Sequence, residues 1–318
     1  MRCTNTGTTV WKKSSLLLLC LPLLAEKFER VEPHMGTLFR ITVDAPNVGV
    51  AHAAFDAAFA RVHELDEILS DYKPQSELMR LSTRPMRISR DLFLVLEASQ
   101  RLAEQTNGAF DITMGPVIQL WRKARRDKVL PANEAIAEAL NRTGHRKLAL
   151  DAATQTAYFT QPGMQLDVGG IAKGYAADEA LRILRNRGLP NALVAASGDL
   201  TIGRKPMVIA VEPATGFRRR LTLSDHAVST SGDTEQFLEI NGKRYSHIID
   251  PSTGQALTTR IGVTIVAPQG ITADSLATAI CVMGPRRGRE FLKQQHGVSA
   301  LIVVDGKLEA TTGLFARE

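Results

Sequence analysis

The 318 residues are 44% hydrophobic and 23% charged, a globular balance that excludes a disordered or collagen-like chain. The formal charge is +6, but residues 1–25 hold Arg2, Lys12 and Lys13 without an acid, so the remainder carries only +3. That near-balance argues against nucleic acid as a partner, and the runs Arg122–Arg126 and Arg218–Arg220 read as solvated faces or loops.

Lys12-Lys13, Ser14-Ser15 and the apolar run Leu16–Leu24, interrupted by Pro22, have the make-up of an export signal. The run is too short to span a bilayer as a stable helix. Cleavage after Ala25 fits, although Leu23 is large for its position. Cys20 is an alternative lipid attachment point, with Leu18-Leu19 a poor match to the small residues such boxes prefer. The expectation is therefore a leader over residues 1–25 and a periplasmic domain over 26–318, with inner-membrane anchoring as the alternative. Cys281 is alone beyond the leader, so neither an internal disulfide nor a zinc spacing is available.

Leu38–Val43 reads as a strand, and Phe55, Phe59, Val62, Leu65 and Leu69 recur at helical spacing. Asp71–Ser82 is a polar loop. Ser89 caps a helix that stops near Gly108, and Asn133 caps a short one ending before Gly144. Gly169-Gly170 opens a helix with Ile171, Tyr175, Leu181 and Leu184 inward, closed by Gly188. Strands follow at Ala192–Ala196, Met207–Val211, Leu221–Leu223, Gln236–Ile240 and Ile261–Ala267. Thr272 then caps a helix to about Met283, and Ser299–Val304 is a late strand. Helices and strands mix without βαβ alternation and no linker divides the chain, which points to one α+β domain.

Four segments are candidates for chemistry. Asp167–Tyr175 joins a strand end to a helix start through two glycines, an arrangement that lets backbone approach an anion, and Lys173 sits in the first turn against the helix dipole. A tight turn with a solvated lysine would look the same. Asp274 and Thr278 stand four residues apart on one helical face, where a carboxylate and a hydroxyl can share a hard cation or simply satisfy nearby backbone. His247 follows a hairpin turn at Asn241-Gly242 and precedes turns at Asp250-Pro251 and Thr253-Gly254; it is suited to proton transfer, phosphate contact or loop anchoring. Thr106–Pro116 contains Gly-Ala-Phe-Asp (108–111), which fits either a ring pocket or a helix stop with an aromatic plug.

Taken in order, these segments resemble the ApbE family of FAD:protein FMN transferases, together with Met35-Gly-Thr37, Asp71–Glu77 and Ser231-Gly232-Asp233. The resemblance implies an FAD cleft in an α+β fold, with Met35, Tyr72, Ala109, Phe110, Asp111, Asp167, Lys173 and the backbone near Ile249 as flavin contacts. It implies a magnesium cofactor held by the Gly170 carbonyl, Asp274 and Thr278. Ala277 stands where some relatives carry an acidic ligand, so a water would take that place. The implied chemistry is transfer of FMN from FAD to a threonine of an acceptor protein, with AMP leaving. A threonine hydroxyl is a poor nucleophile at neutral pH, so His247 is read as its base, with phosphate contact or loop anchoring as the alternatives. An FAD pyrophosphatase and a non-enzymatic flavin-binding protein are the other readings; the acid–hydroxyl pair counts against the second.

Overall fold

A computed structural model describes residues 25–233 and 236–317, so the expected export signal lies outside the described residues. The chain begins with a hairpin that the sequence showed only in part. β1 (Glu26–His34) pairs antiparallel with β2 (Thr37–Ala45) across a turn in which Met35 and Gly36 both have positive φ. β1 escapes a hydropathy reading because it is mostly charged and only Phe28 leans on the core. β2 alternates properly, with Phe39, Ile41 and Val43 buried.

α1 (Val48–Leu69) carries the predicted stripe, all of it buried, and is capped by Asn47, whose side chain accepts from Val50 N. β3 (Met86–Arg87) precedes α2 (Arg90–Gln105), and the Ser89 hydroxyl caps α2 by accepting from Leu92 N at 3.2 Å. α3 (Gly115–Asp127) had no counterpart in the sequence reading. Pro116 occupies its first turn, where a missing N–H costs nothing, and Trp121 and Ala124 face inward. The Arg122–Arg126 run is thus one helical turn with a buried side, not a loop. In α4 (Asn133–Leu140), Asn133 is the first helical residue and Ala132 the cap position.

The chain continues through β4 (Leu148–Asp151), β5 (Thr156–Phe159), α5 (Ala172–Asn186), β6 (Ala192–Ala196), β7 (Asp199–Ile202), β8 (Met207–Ala214), β9 (Phe217–Leu223) and β10 (Ala227–Gly232). Then come β11 (Phe237–Ile240), β12 (Lys243–Ser246), β13 (Ile261–Ala267), α6 (Gly270–Leu292), β14 (Ser299–Val304) and β15 (Lys307–Thr311). The predicted end of α6 near Met283 marks a real break: Gly284 has φ 73° and ψ 173°, and Pro285 follows.

Eight strands form one antiparallel sheet in the order β1-β2-β6-β7-β10-β13-β14-β15. Its first face packs on α1, α5 and α6, burying Ile41, Val194, Val263, Ile265 and Ile302. The β8–β9 hairpin covers part of the second face, where Ile209, Val211, Leu221 and Leu223 meet Val228, Val266 and Leu301. β13 lies under both layers, which explains why it is buried at every position, Thr264 included, instead of alternating. A smaller core joins α3, α4 and the β11–β12 hairpin around Trp121, whose Nε1 donates to the Gly254 carbonyl at 2.8 Å.

α5 and α6 cross unusually closely. A Cβ on Gly174 would lie 2.1 Å from the Gly270 carbonyl oxygen. Each helix supplies a carboxylate to the start of the other. Asp178 of α5 accepts from Gly270 N (2.7 Å) and Ile271 N (3.0 Å), and Asp274 of α6 accepts from Gly174 N (3.1 Å). Hence α6 begins at Gly270 instead of Thr272: its cap is tertiary, not local. Burial pushes the Asp178 carboxyl up to about 6, against the pull of those N–H donors. Gly174→Ala should force the helices apart and cost about 1–3 kcal/mol, read from urea unfolding. A change below about 0.5 kcal/mol would contradict the close crossing.

Candidate active site

A cleft of about 920 Å³ opens where the first turns of α5 and α6 meet the ends of β7 and β10. The β1–β2 turn contributes Met35, the loop after α1 contributes Tyr72, and the loop after α2 contributes Ala109, Phe110 and Asp111. The strand-to-helix junction adds Asp167, Gly170 and Lys173, the segment after β12 adds His247 and Ile249, and α6 adds Asp274 and Thr278. All twelve residues singled out from the sequence therefore line one space.

At its floor is an anionic notch. Asp274 is 2% exposed and Asp199, at the start of β7, is 5% exposed. The Lys173 ammonium bridges them, 3.3 Å from Asp274 Oδ2 and 3.2 Å from Asp199 Oδ2, and donates to the Gly169 carbonyl at 2.8 Å. Burial works against the lysine's charge, but the two carboxylates outweigh it and raise its pKa. Burial and the neighbouring Asp199 push Asp274 upward, while Lys173 draws it back. Ser229 donates to Asp199, fixing its other oxygen.

The Thr278 and Ser231 hydroxyls lie 3.4 Å apart, and a Cβ on Gly170 would come within 3.0 Å of Thr278 Oγ1. Gly170 and the threonine hydroxyl thus face each other with little room for a side chain. No group of three or more His, Cys, Asp or Glu suited to a metal occurs among the described residues. A zinc-type cage is thereby unsupported, but magnesium typically takes one or two carboxylates and completes its shell with water and phosphate oxygens. The all-oxygen donor set of Asp274, Asp199, Thr278 and nearby backbone fits such a cation.

The opposite wall is built on Arg122. Its guanidinium pairs with Asp71 and with Asp167 at 2.7 Å, and lies 4.4 Å from the Tyr72 ring centroid. Burial opposes its charge, yet Asp167 and Asp71 prevail and raise its pKa. With Arg122 over one face, Tyr72 remains 71% exposed to the cleft mouth. Asp167 also accepts from Gly169 N at 2.9 Å, tying this wall to the glycine junction. The Asp111 carboxylate turns into its own loop, accepting from Thr113 N (2.8 Å), Thr113 Oγ1 (2.6 Å) and His145 N (3.0 Å). Ala109, Phe110 and Ile249 are buried and shape the wall through packing.

His247 stands at the rim. Its Nδ1 is 3.1 Å from the Gln236 carbonyl, which can only accept, so Nδ1 carries the proton and Nε2 keeps a lone pair in the neutral ring. Burial, with added repulsion from Arg125 and Lys173, lowers the imidazole pKa below its ordinary value.

A protein-family model described as the ApbE family matches residues 35–302. The chain belongs to the ApbE family. It is 33% identical over 320 residues to the FAD:protein FMN transferase of Treponema pallidum, covering 92% of this chain and 88% of that protein. Against the FAD:protein FMN transferase of Klebsiella pneumoniae the identity is 32% over 296 residues, with 86% and 83% covered. The crystal structure of the ApbE protein of Thermotoga maritima superposes with a TM-score of 0.82 at 31% identity, over 92% of this chain and all of that one (100%). The flavin transferase ApbE of Vibrio cholerae gives 0.82 at 30%, over 92% and 99%.

Within this ApbE fold the sequence reading missed three polar participants. Asp199 starts a short strand without any motif around it. Arg122 and Arg125 sat in a basic run that reads as solvated until α3 is recognised. A helical stripe of Val117, Trp121 and Ala124 was the available signal. The notch itself can be tested without turnover. Lys173→Met would leave two enclosed carboxylates without their cation and should cost about 3–5 kcal/mol in chelator, read by urea unfolding. Such carboxylates bind protons more readily folded than unfolded, so the deficit should shrink as pH falls from about 8 to about 5. A loss below about 1 kcal/mol would show that the lysine does not neutralise them.

Proposed function

We propose that this chain transfers FMN from FAD to a threonine of an acceptor protein through a phosphoester bond and releases AMP, with magnesium as cofactor. The observation that carries this reading is that an enclosed acid–hydroxyl notch, a tyrosine-bearing wall and a neutral histidine share one cleft. Tyr72 and the packed wall of Met35, Ala109, Phe110 and Ile249 would receive the isoalloxazine, and Asp111 and Asp167 would hold that wall in shape. Asp274, Thr278 and the Gly170 backbone would hold magnesium, with Asp199 beside them. When bound, that cation neutralises charge on the phosphates.

The acceptor threonine oxygen forms a bond to the phosphorus that bears riboflavin, and the bond from that phosphorus to the bridging oxygen breaks. The electron pair leaves with AMP. The threonine proton passes to His247 Nε2, whose tautomer is set by the Gln236 carbonyl. Such transfers depend mainly on positioning and charge neutralisation, so a base contributes only part of the rate. The proposed location is periplasmic, on the strength of the Lys12–Ala25 composition; cell fractionation finding the uncleaved chain in the cytoplasm would refute that.

The test is to supply FAD, magnesium and an acceptor domain, then compare released AMP with flavin fluorescence retained by the denatured acceptor. Transfer predicts equal amounts. AMP matched by free FMN would make the chain a pyrophosphatase, and no AMP would make it a binding protein. His247→Ala should slow transfer by about 10²–10⁴-fold while FAD affinity is retained. Near-normal transfer by that variant at saturating FAD and acceptor would remove the base from the mechanism.

A further inference from the structure

Four cationic side chains, excluding the histidine, line the cleft: Lys73, Arg122, Arg125 and Lys173. Three of them are each matched by two carboxylates. Lys73 pairs with Asp66 and Glu67, both at 2.6 Å; Arg122 pairs with Asp71 and Asp167; Lys173 pairs with Asp199 and Asp274. Arg125 makes no hydrogen bond or ion pair among the described residues. It lies one turn beyond Arg122 on α3, half-buried against the cleft. Burial, then repulsion from Arg122, pulls its pKa below the ordinary arginine value; Tyr72 and Asp167 act in the opposite direction without offsetting this. The same charge is felt at His247, and it adds to the effect of burial there.

A cation without a contact ion pair in a partly desolvated cleft is costly unless an anion arrives with the ligand. The ligand of the proposed function brings one, a doubly charged pyrophosphate, and a guanidinium matches phosphate oxygens with two parallel N–H donors. We propose that Arg125 is the pyrophosphate-binding residue of this cleft, taking the phosphate oxygens of the flavin dinucleotide on the His247 side while the other three cations stay with their carboxylates. The inference rests on the flavin reading of the cleft and extends it to a residue on α3. It also gives the basic run of α3 a division of labour: Arg122 builds the wall and Arg125 reads the substrate's charge.

Flavin fluorescence titrations of the whole protein with riboflavin, FMN and FAD, in chelator and in magnesium, separate these roles. Arg125→Gln should leave riboflavin affinity within about twofold and weaken FAD by about ten- to hundredfold, with Arg125→Lys in between. Because the arginine has no hydrogen-bond or ion-pair partner among the described residues, the melting temperature of Arg125→Gln should not fall. In the wild type, added salt should weaken FAD binding more than riboflavin binding, a check that does not depend on any variant. Unchanged FAD affinity in Arg125→Gln, or equal losses for riboflavin and FAD, would overturn the assignment. A salt response no greater for FAD than for riboflavin would overturn it too. A wild type that binds neither flavin would overturn the flavin reading itself.

Discussion

Two carboxylates exchanged between α5 and α6 hold the rest of the site in place. Asp178 closes the start of α6 and Asp274 closes the start of α5, over a crossing so tight that Gly174 and Gly270 touch through their backbones. Helix starts carry unsatisfied N–H groups and a partial positive charge, so each carboxylate is favoured where it sits. The exchange fixes the depth and direction of Asp274. It also places Lys173 and Gly170, which flank the start of α5, against Thr278 on α6. A looser crossing would still bury apolar surface, but it would not bring these oxygens together.

The cleft follows a second constraint, which is charge matching. Each cation that builds the walls sits between two acids, so its charge is taken up within the wall and carboxylates outnumber cations there. Ligand recognition then falls to what is left over: the exposed face of Tyr72, Arg125, which has no hydrogen-bond or ion-pair partner among the described residues, and a histidine kept neutral by burial and by the cations around it. Phosphoryl transfer suits such a site, because its demands are positioning and neutralisation of charge more than covalent help from side chains. Position 277 is a buried alanine, and the second carboxylate of the notch comes from Asp199 on the sheet.

Much of this was legible from the residues. β6, β13 and β14 have the bounds their apolar runs suggested, Ser89 caps α2, and the stripe of α1 is buried throughout. Asp274 with Thr278, Lys173 and His247 stood out because each breaks a local rule or forms a spaced pair. The remainder was hidden for physical reasons. β1 is an edge strand with a charged pattern, so periodicity gives no sign of it. The true cap of α6 is Asp178, ninety-two residues away from Gly270, and no local motif encodes such a partner. Arg122 and Arg125 share a helix face whose orientation depends on where Trp121 packs, and a count of basic residues cannot separate a wall, a ligand contact and a solvated face.

The most direct test of the account is the intact mass of an acceptor domain after incubation with this chain, FAD and magnesium. An acceptor modified by the Vibrio cholerae flavin transferase serves as positive control, beside a copy in which its threonine is replaced by alanine. The account predicts that the threonine form gains the mass of one FMN less one water and that the alanine form gains nothing. An acceptor left unmodified by this chain, but modified by the control enzyme, would contradict it.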